Sequence, residues 1–280
     1  MQIEIIEMAD RKAQFVLKDS SPAMANALRR TMIQDIPKMA IDKVEFHLGP
    51  IMQDDKEYES MTSLFDEVIA HRLGMIPVPT DYDLFTFQDK CVCGGEGCPS
   101  CTIMYSLNKM GPCTVYSGDL MPLGNETLKV KDEFIPIVEL TDKQAVLIYA
   151  TAIMGTAKQH VKWQAAFGVG YSYMPVIEIA PKTAVDPDVQ KAAELCPRHV
   201  FEIKGGKLLV ENLRKCSLCK TCTEAPIPAG AIKVHGDDKN FLFKFETDGS
   251  LTAKQVLDKA LEILVGEAKD FGDQVKALAQ

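Results

Sequence analysis

Apolar and charged residues alternate at the start of the chain, through Ile3 and Ile5 and again through Phe15 and Leu17, with a polar break at Ala9-Asp10. Alternation with a period of two puts every second side chain on one face of a strand, so the pattern predicts a hairpin. Ser21 followed by Pro22 offers an N-cap and a first turn whose φ is already set. This predicts a helix through Ala27, Leu28 and Thr31 that ends before Pro37. A second helix is predicted over 62–73, with Leu64, Phe65, Val68, Ile69 and Leu73 on one side and Gly74 as its stop. Pro77 and Pro79 prevent its continuation. Strand-like runs follow to about Ile137, and alternation resumes from Val146 to Trp163.

From Pro181 to about Pro228 the pattern is broken by Pro187, Pro197 and Pro226, which predicts a small module of short elements. Beyond it, Ala231 to Val234 and the run Phe241, Phe243, Phe245 predict two short strands, and Asp248-Gly249 a turn. Thr252 with Gln255 forms a capping box for a last helix. That helix carries Leu257, Leu261, Leu264, Ala268, Phe271, Val275 and Leu278, spaced alternately four and three. Such a stripe is a heptad seam, which needs a neighbour either inside the fold or on another chain.

The chain has 280 residues, 46% of them hydrophobic, enough for packed cores in one large or several small domains. The first residues have neither a basic n-region nor an apolar core, so no signal peptide is expected, and no apolar run is long enough to span a membrane. The expected location is the cytoplasm, where thiols stay reduced, so nine cysteines suggest metal rather than disulfides. A net charge of −8 argues against a large nucleic-acid footprint, and contact with DNA is expected only through other chains. On the first helix, Arg29 and Arg30 form either a solvated face or a docking point for a larger partner.

The cysteines fall into two groups. Cys216, Cys219 and Cys222 have the spacing C-x2-C-x2-C, which wraps three thiolates around one iron–sulfur cluster better than it builds the paired ligands of zinc. Cys196-Pro197 supplies the fourth thiolate of a 4Fe-4S centre; without it, three thiolates suffice for 3Fe-4S. The pseudo-repeat of two-cluster ferredoxins is incomplete, because Asp186, Val189, Ala192 and Ala225 stand where further cysteines would be. One cluster is therefore expected. Cys91, Cys93, Cys98 and Cys101, in CVCGGEGCPSC, predict a closed structural zinc site. Cys113 stands alone and is expected in the core.

No phosphate loop is present, since Gly206-Lys207 is followed by leucine, and no G-x-S-x-G elbow occurs. The five histidines lack metal-ligand spacing, and the pairs Asp54-Asp55 and Asp237-Asp238 read as polar turns. The cysteine motif by itself also fits a ferredoxin-type electron-transfer component, although no flavin or nicotinamide fingerprint accompanies it.

Three segments in order, ANALRRTMIQDIP (25–37), DEVIAHRLGMIPVPTD (66–81) and HVKWQAAFGVGYSYMPVIEI (160–179), resemble the motifs of the alpha-like assembly subunits of RNA polymerase. The two cysteine groups resemble the archaeal D branch of that family, and differ from bacterial alpha, which has no cysteine module. The resemblance implies an α+β fold with a discontinuous dimerisation domain over 1–46, 146–184 and 229–280. It also implies an inserted mixed domain over 47–145 and a ferredoxin-like iron–sulfur domain over 185–228. The implied role is a non-catalytic platform that pairs with the small L subunit, binds subunits N and P, and docks the large catalytic subunits. Arg29 and Arg30 would then face a partner, as would Leu257, Leu261, Leu264, Phe271, Val275 and Leu278 of the heptad seam.

Overall fold

A computed structural model of the chain describes residues 1–53 and 56–278; the Asp54-Asp55 pair expected in a turn lies outside them. The chain begins with β1 (Gln2–Met8), β2 (Lys12–Lys18), α1 (Pro22–Gln34), β3 (Lys38–Phe46), β4 (Pro50–Gln53), β5 (Lys56–Glu59) and α2 (Asp66–Gly74). It continues through β6 (Thr102–Met110), β7 (Cys113–Tyr116), β8 (Met121–Pro122), β9 (Pro136–Leu140), β10 (Ala145–Gly155) and β11 (Ala166–Ile179). The last part holds α3 (Pro187–Glu194), β12 (Phe201–Lys204), β13 (Lys207–Val210), α4 (Thr221–Glu224), β14 (Ile232–Thr247) and α5 (Ala253–Leu278). The fold is α+β, and its residues group into two compact units.

The first unit comprises 1–8, 13–29 and 169–245. The predicted hairpin is there: β1 pairs antiparallel with β2, Ile3 opposite Leu17, in a sheet ordered β1-β2-β14-β11. Its aromatic residues pack together, Phe15 stacking on Phe243 at 5.0 Å between centroids and Tyr171 meeting both Phe243 and Phe241. Ser21 caps α1 as expected, its Oγ accepting from the Met24 N–H at 3.3 Å. The two short strands expected at 231–234 and 241–245 are instead one continuous strand, β14. Asp237 sits inside it rather than in a free turn. Its carboxylate accepts from the Asn240 side chain and from the Lys239 N–H, and these bonds hold its pKa below the usual carboxylate value. Local bonding of this kind satisfies polar groups without ending the strand.

Within the same unit, 180–231 forms the cysteine module, with α3, the β12–β13 hairpin and α4. Its small core joins Val189, Ala193, Leu208, Ala231 and Ile232 to the thiol of Cys222. Asp186 caps α3 by accepting from the Asp188 N–H at 2.9 Å, with Pro187 in the first turn.

The second unit comprises 9–12, 30–168 and the chain from Glu246 onward. Its main sheet has the order β3-β10-β6-β8, with β10 antiparallel to both β3 and β6. Along β10 the even-numbered residues Val146, Ile148, Ala150, Ala152 and Met154 are buried while Tyr149 on the other face is exposed, so one face of the strand enters the core. Helix α2 begins at Asp66, not near residue 62. The Thr62 hydroxyl donates to the Leu64 carbonyl at 2.7 Å in a local turn, and Asp66 and Glu67 then place negative charge in the helix's first turn, where the helix dipole favours it. Ile69 and Leu73 are buried as expected, but Phe65 precedes the helix and, with Val68, is exposed. The Thr252–Gln255 capping box is made: the Gln255 N–H donates to Thr252 Oγ1 at 3.2 Å, and the Thr252 N–H to Gln255 Oε1 at 2.9 Å.

Gly155 ends β10 against Trp163, the chain's one tryptophan; a Cβ placed there would lie 2.4 Å from Trp163 Cε2. Gly155→Ala is expected to destabilise this unit by about 1–3 kcal/mol, the usual cost of overpacking. The intrinsic fluorescence of Trp163 should report the change in a urea titration, and an unchanged midpoint would show that the ring yields freely.

Candidate metal centres and partner face

The segment before β6 brings four thiols together. A single helical turn at 88–90 leads into Cys91, whose N–H donates to Gln88 O, and the Cys101 and Thr102 N–H groups donate to the Cys98 carbonyl. Gly94, Gly95 and Gly97 have φ of 68°, 93° and 88°, a region open to glycine without steric cost, and this lets the chain fold back on itself. Val92 points wholly into solvent, so the flanking Cys91 and Cys93 turn inward. The sulfurs lie 3.5 Å apart for Cys91–Cys98, 3.7 Å for Cys93–Cys101 and 4.0 Å for Cys98–Cys101. All four ligand atoms fall within 4.8 Å of one another.

The thiols differ in acidity. Backbone N–H groups of Cys98, Gly97 and Gly95 pull Cys93 down to about 5, while burial pushes Cys101 up to about 12. A thiolate is therefore ready at Cys93, and a proton must leave Cys101 before that sulfur can bind a cation. Such a constellation is a metal-binding site whose donor set suits zinc or an iron–sulfur centre.

The second cysteine group is placed differently. Cys196 follows α3 and is buried, Cys222 is buried in α4, Cys216 is half-buried and Cys219 is exposed. Burial raises the pKa of Cys216 and of Cys222, and each is also influenced by Cys196, so the fourth cysteine lies in the neighbourhood of those two. Cys219 is lowered by the Thr221 hydroxyl, which donates to its sulfur at 3.4 Å, and by the Thr221 N–H; the Leu218 N–H acts likewise on Cys216. Leu218 and Lys220 adopt positive φ, which turns those amides toward the sulfurs. Among the described residues these four do not gather within the 4.8 Å that unites the first group. A multi-iron cluster holds its thiolates further apart than a single ion does, because the irons lie between them. Cys113 donates to the Met110 carbonyl at 3.2 Å and packs against the second unit's core.

Helix α5 divides in two. Val256, Leu257 and Ala260 are buried, whereas Phe271 is 69%, Val275 48% and Leu278 88% exposed. Leu261 and Leu264 lie at the transition, half-buried. The predicted seam is thus covered at its start and open at its end. Val265, 65% exposed and off the seam, widens the open face; the heptad pattern alone did not mark it. Arg30 is exposed, while Arg29 donates to Asn26 Oδ1 at 3.1 Å, which fixes its guanidinium along α1.

These features define an α+β protein with four thiols gathered closely enough to hold a metal and a last helix whose apolar end is exposed. A family model described as the RNA polymerase Rpb3/Rpb11 dimerisation domain matches residues 14–268, and the chain belongs to that family. Its relatives include proteins named DNA-directed RNA polymerase subunit Rpo3. That of Thermoplasma volcanium is 43% identical across the whole of both chains. That of Picrophilus torridus is 41% identical over 94% of this chain and 95% of its own, and that of Archaeoglobus fulgidus 39% over 99% and 98%. The archaeal alpha-like branch of the family is therefore the one this chain falls in, and its field is transcription. No helix among the described residues is long and apolar enough to cross a membrane.

Proposed function

We propose that the protein is the D-type assembly platform of an archaeal RNA polymerase, non-catalytic itself, and that it heterodimerises with an L-type small subunit before docking the large catalytic chains and subunits N and P. The observation that carries the dimerisation is α5, whose apolar residues Phe271, Val275 and Leu278 are exposed in the single chain. In water such a stripe is stabilised by a second helix laid along it. The dimerisation domain is assigned to 1–46, 146–184 and 229–280, the insert to 47–145 and a ferredoxin-like domain to 185–228. The cytoplasm is the compartment this role requires.

The reading includes two metal centres. Four sulfurs about 2.3 Å from one zinc ion sit roughly 3.8 Å apart in a tetrahedron, and the separations of 3.5–4.0 Å among Cys91, Cys93, Cys98 and Cys101 support structural zinc there. Cys196, Cys216, Cys219 and Cys222 would hold one iron–sulfur cluster, 4Fe-4S with Cys196 as a ligand and 3Fe-4S without it. Amide and hydroxyl donors directed at Cys219 lower its pKa and favour a thiolate there, whereas at Cys216 burial outweighs the Leu218 amide. The centre would brace the module and make its fold sensitive to oxidation.

Co-expression with an L-type subunit, followed by size-exclusion chromatography, tests the dimer. The wild-type pair should co-elute, and Leu264→Glu with Phe271→Glu should separate it while leaving the single chain folded; co-elution of that variant would reject α5 as the interface. Anaerobic purification with iron, zinc and sulfide analysis tests the centres. Cys196→Ser is expected to convert a four-iron centre to a three-iron one, detected by electron paramagnetic resonance; an unchanged spectrum would remove Cys196 from the ligand set. A monomer that cycles reversibly would instead support the electron carrier.

A further inference from the structure

The first unit holds a cavity of about 680 Å³, and of the residues given a role above only Cys216 reaches its wall. Arg198, His199, Arg214, Lys215 and Lys244 line it, together with Tyr171, and no carboxylate does. In a chain of net charge −8, a wall of four permanent cations is a local reversal of sign. Arg214 is partly offset by Glu4, which accepts its guanidinium at 2.8 Å and is shared with Lys18. Arg198, Lys215 and Lys244 have no ion-pair partner among the described residues, so their charges are spent on nothing inside the fold. Unpaired like charges around one concavity repel each other, and an anion that enters it relieves that repulsion.

We infer that this cavity is a binding site for a small polyphosphate-bearing molecule. The volume lies in the range of small-ligand pockets, roughly 300–1,000 Å³, and a concave site suits a compact anion better than a length of acidic chain, which needs an open groove. Guanidinium and ammonium groups together match phosphate oxygens, the former in bidentate pairs. Tyr171, half-buried and held against Phe243 at 5.2 Å, supplies an aromatic surface at the wall that a nucleobase can use. The cations named here come from outside the cysteine set, so the assignment rests on Arg198, Arg214, Lys215 and Lys244 and not on Cys216.

Calorimetric titration of the full chain with inorganic pyrophosphate and with ATP, at low and moderate salt, tests it. Pyrophosphate should bind one to one, more weakly as salt rises. Lys244→Gln should weaken it about fivefold and Arg198→Gln/Lys244→Gln more than about twentyfold, the scale of exposed charge contacts. Lys254→Gln on α5 is the control and should bind as wild type, with thermal unfolding confirming that every variant is folded. ATP binding tighter than pyrophosphate would show that the base is read as well; equal affinity would show that the phosphates alone are, and the site stands in both cases. No saturable binding of either probe, binding that ignores both substitutions, or binding of a hexaglutamate peptide in place of pyrophosphate would overturn the assignment.

Discussion

Replacing Asp248 with alanine is expected to destabilise the second unit by about 3–5 kcal/mol, the range for stripping one partner from a buried ion pair. Lys38 and Asp248 are bonded to each other with side chains only 4% and 10% exposed. Water screens neither charge, and without Asp248 the ammonium keeps only the Gln164 carbonyl, at 3.4 Å. The same carboxylate accepts from the Ser250 N–H at 3.0 Å and from the Ser250 hydroxyl, so the turn that feeds α5 loses its brace as well. Urea unfolding followed by Trp163 fluorescence measures the loss. The double substitution Lys38→Met/Asp248→Ala should recover a large part of it, because no buried charge is then left unpaired. A double variant as unstable as the sum of the two single ones would show that the pair is not coupled.

Breaking the metal site proposed for the 91–101 loop, with zinc as its ion, is expected to have an effect of comparable size. Cys101→Ser should bring zinc from about one ion per chain to none. It should also lower the thermal midpoint of the second unit by on the order of 10 °C, several kcal/mol at roughly 2–4 °C each for a unit of this size. Cys101 is wholly buried and is followed directly by β6, so disorder in the loop reaches an inner strand of the main sheet. The pH dependence follows from the two most strongly shifted thiols. Cys101, pushed up to about 12, must give up its proton to ligate, so metal uptake releases protons and tightens as pH rises. Cys93, held down at about 5, stays ionised through the neutral range, and affinity should collapse as pH falls through that value. Zinc retention measured against pH in the presence of a chelator checks the sign; retention that improves toward acid would contradict it.

The sequence alone was enough for everything set by local chemistry. The 1–18 hairpin, the Ser21-Pro22 start of α1, the Thr252 capping box and the four-thiol loop are each encoded within a single short stretch of chain. Alternation, capping and the glycines between cysteines act over that distance. The boundaries that went astray have one local and one distant cause. Residues 62–65 read as helix but are kept out of it by a local hydroxyl bond, and β14 runs unbroken through Asp237 because neighbouring strands hold it.

Only the tertiary structure decided the rest. The heptad stripe gave no sign of where α5 leaves the core, since periodicity marks a face but not what covers it. Lys38 and Asp248 are 210 residues apart, so neither could be recognised as buried until packing excluded water from both. The same is true of the cationic cavity, whose walls come from residues near 14, 171, 198, 215 and 244. Charge and hydrophobicity are written along the chain, but desolvation depends on which segments meet, and it is desolvation that sets the strength of the Lys38–Asp248 pair and holds the Cys101 thiol up.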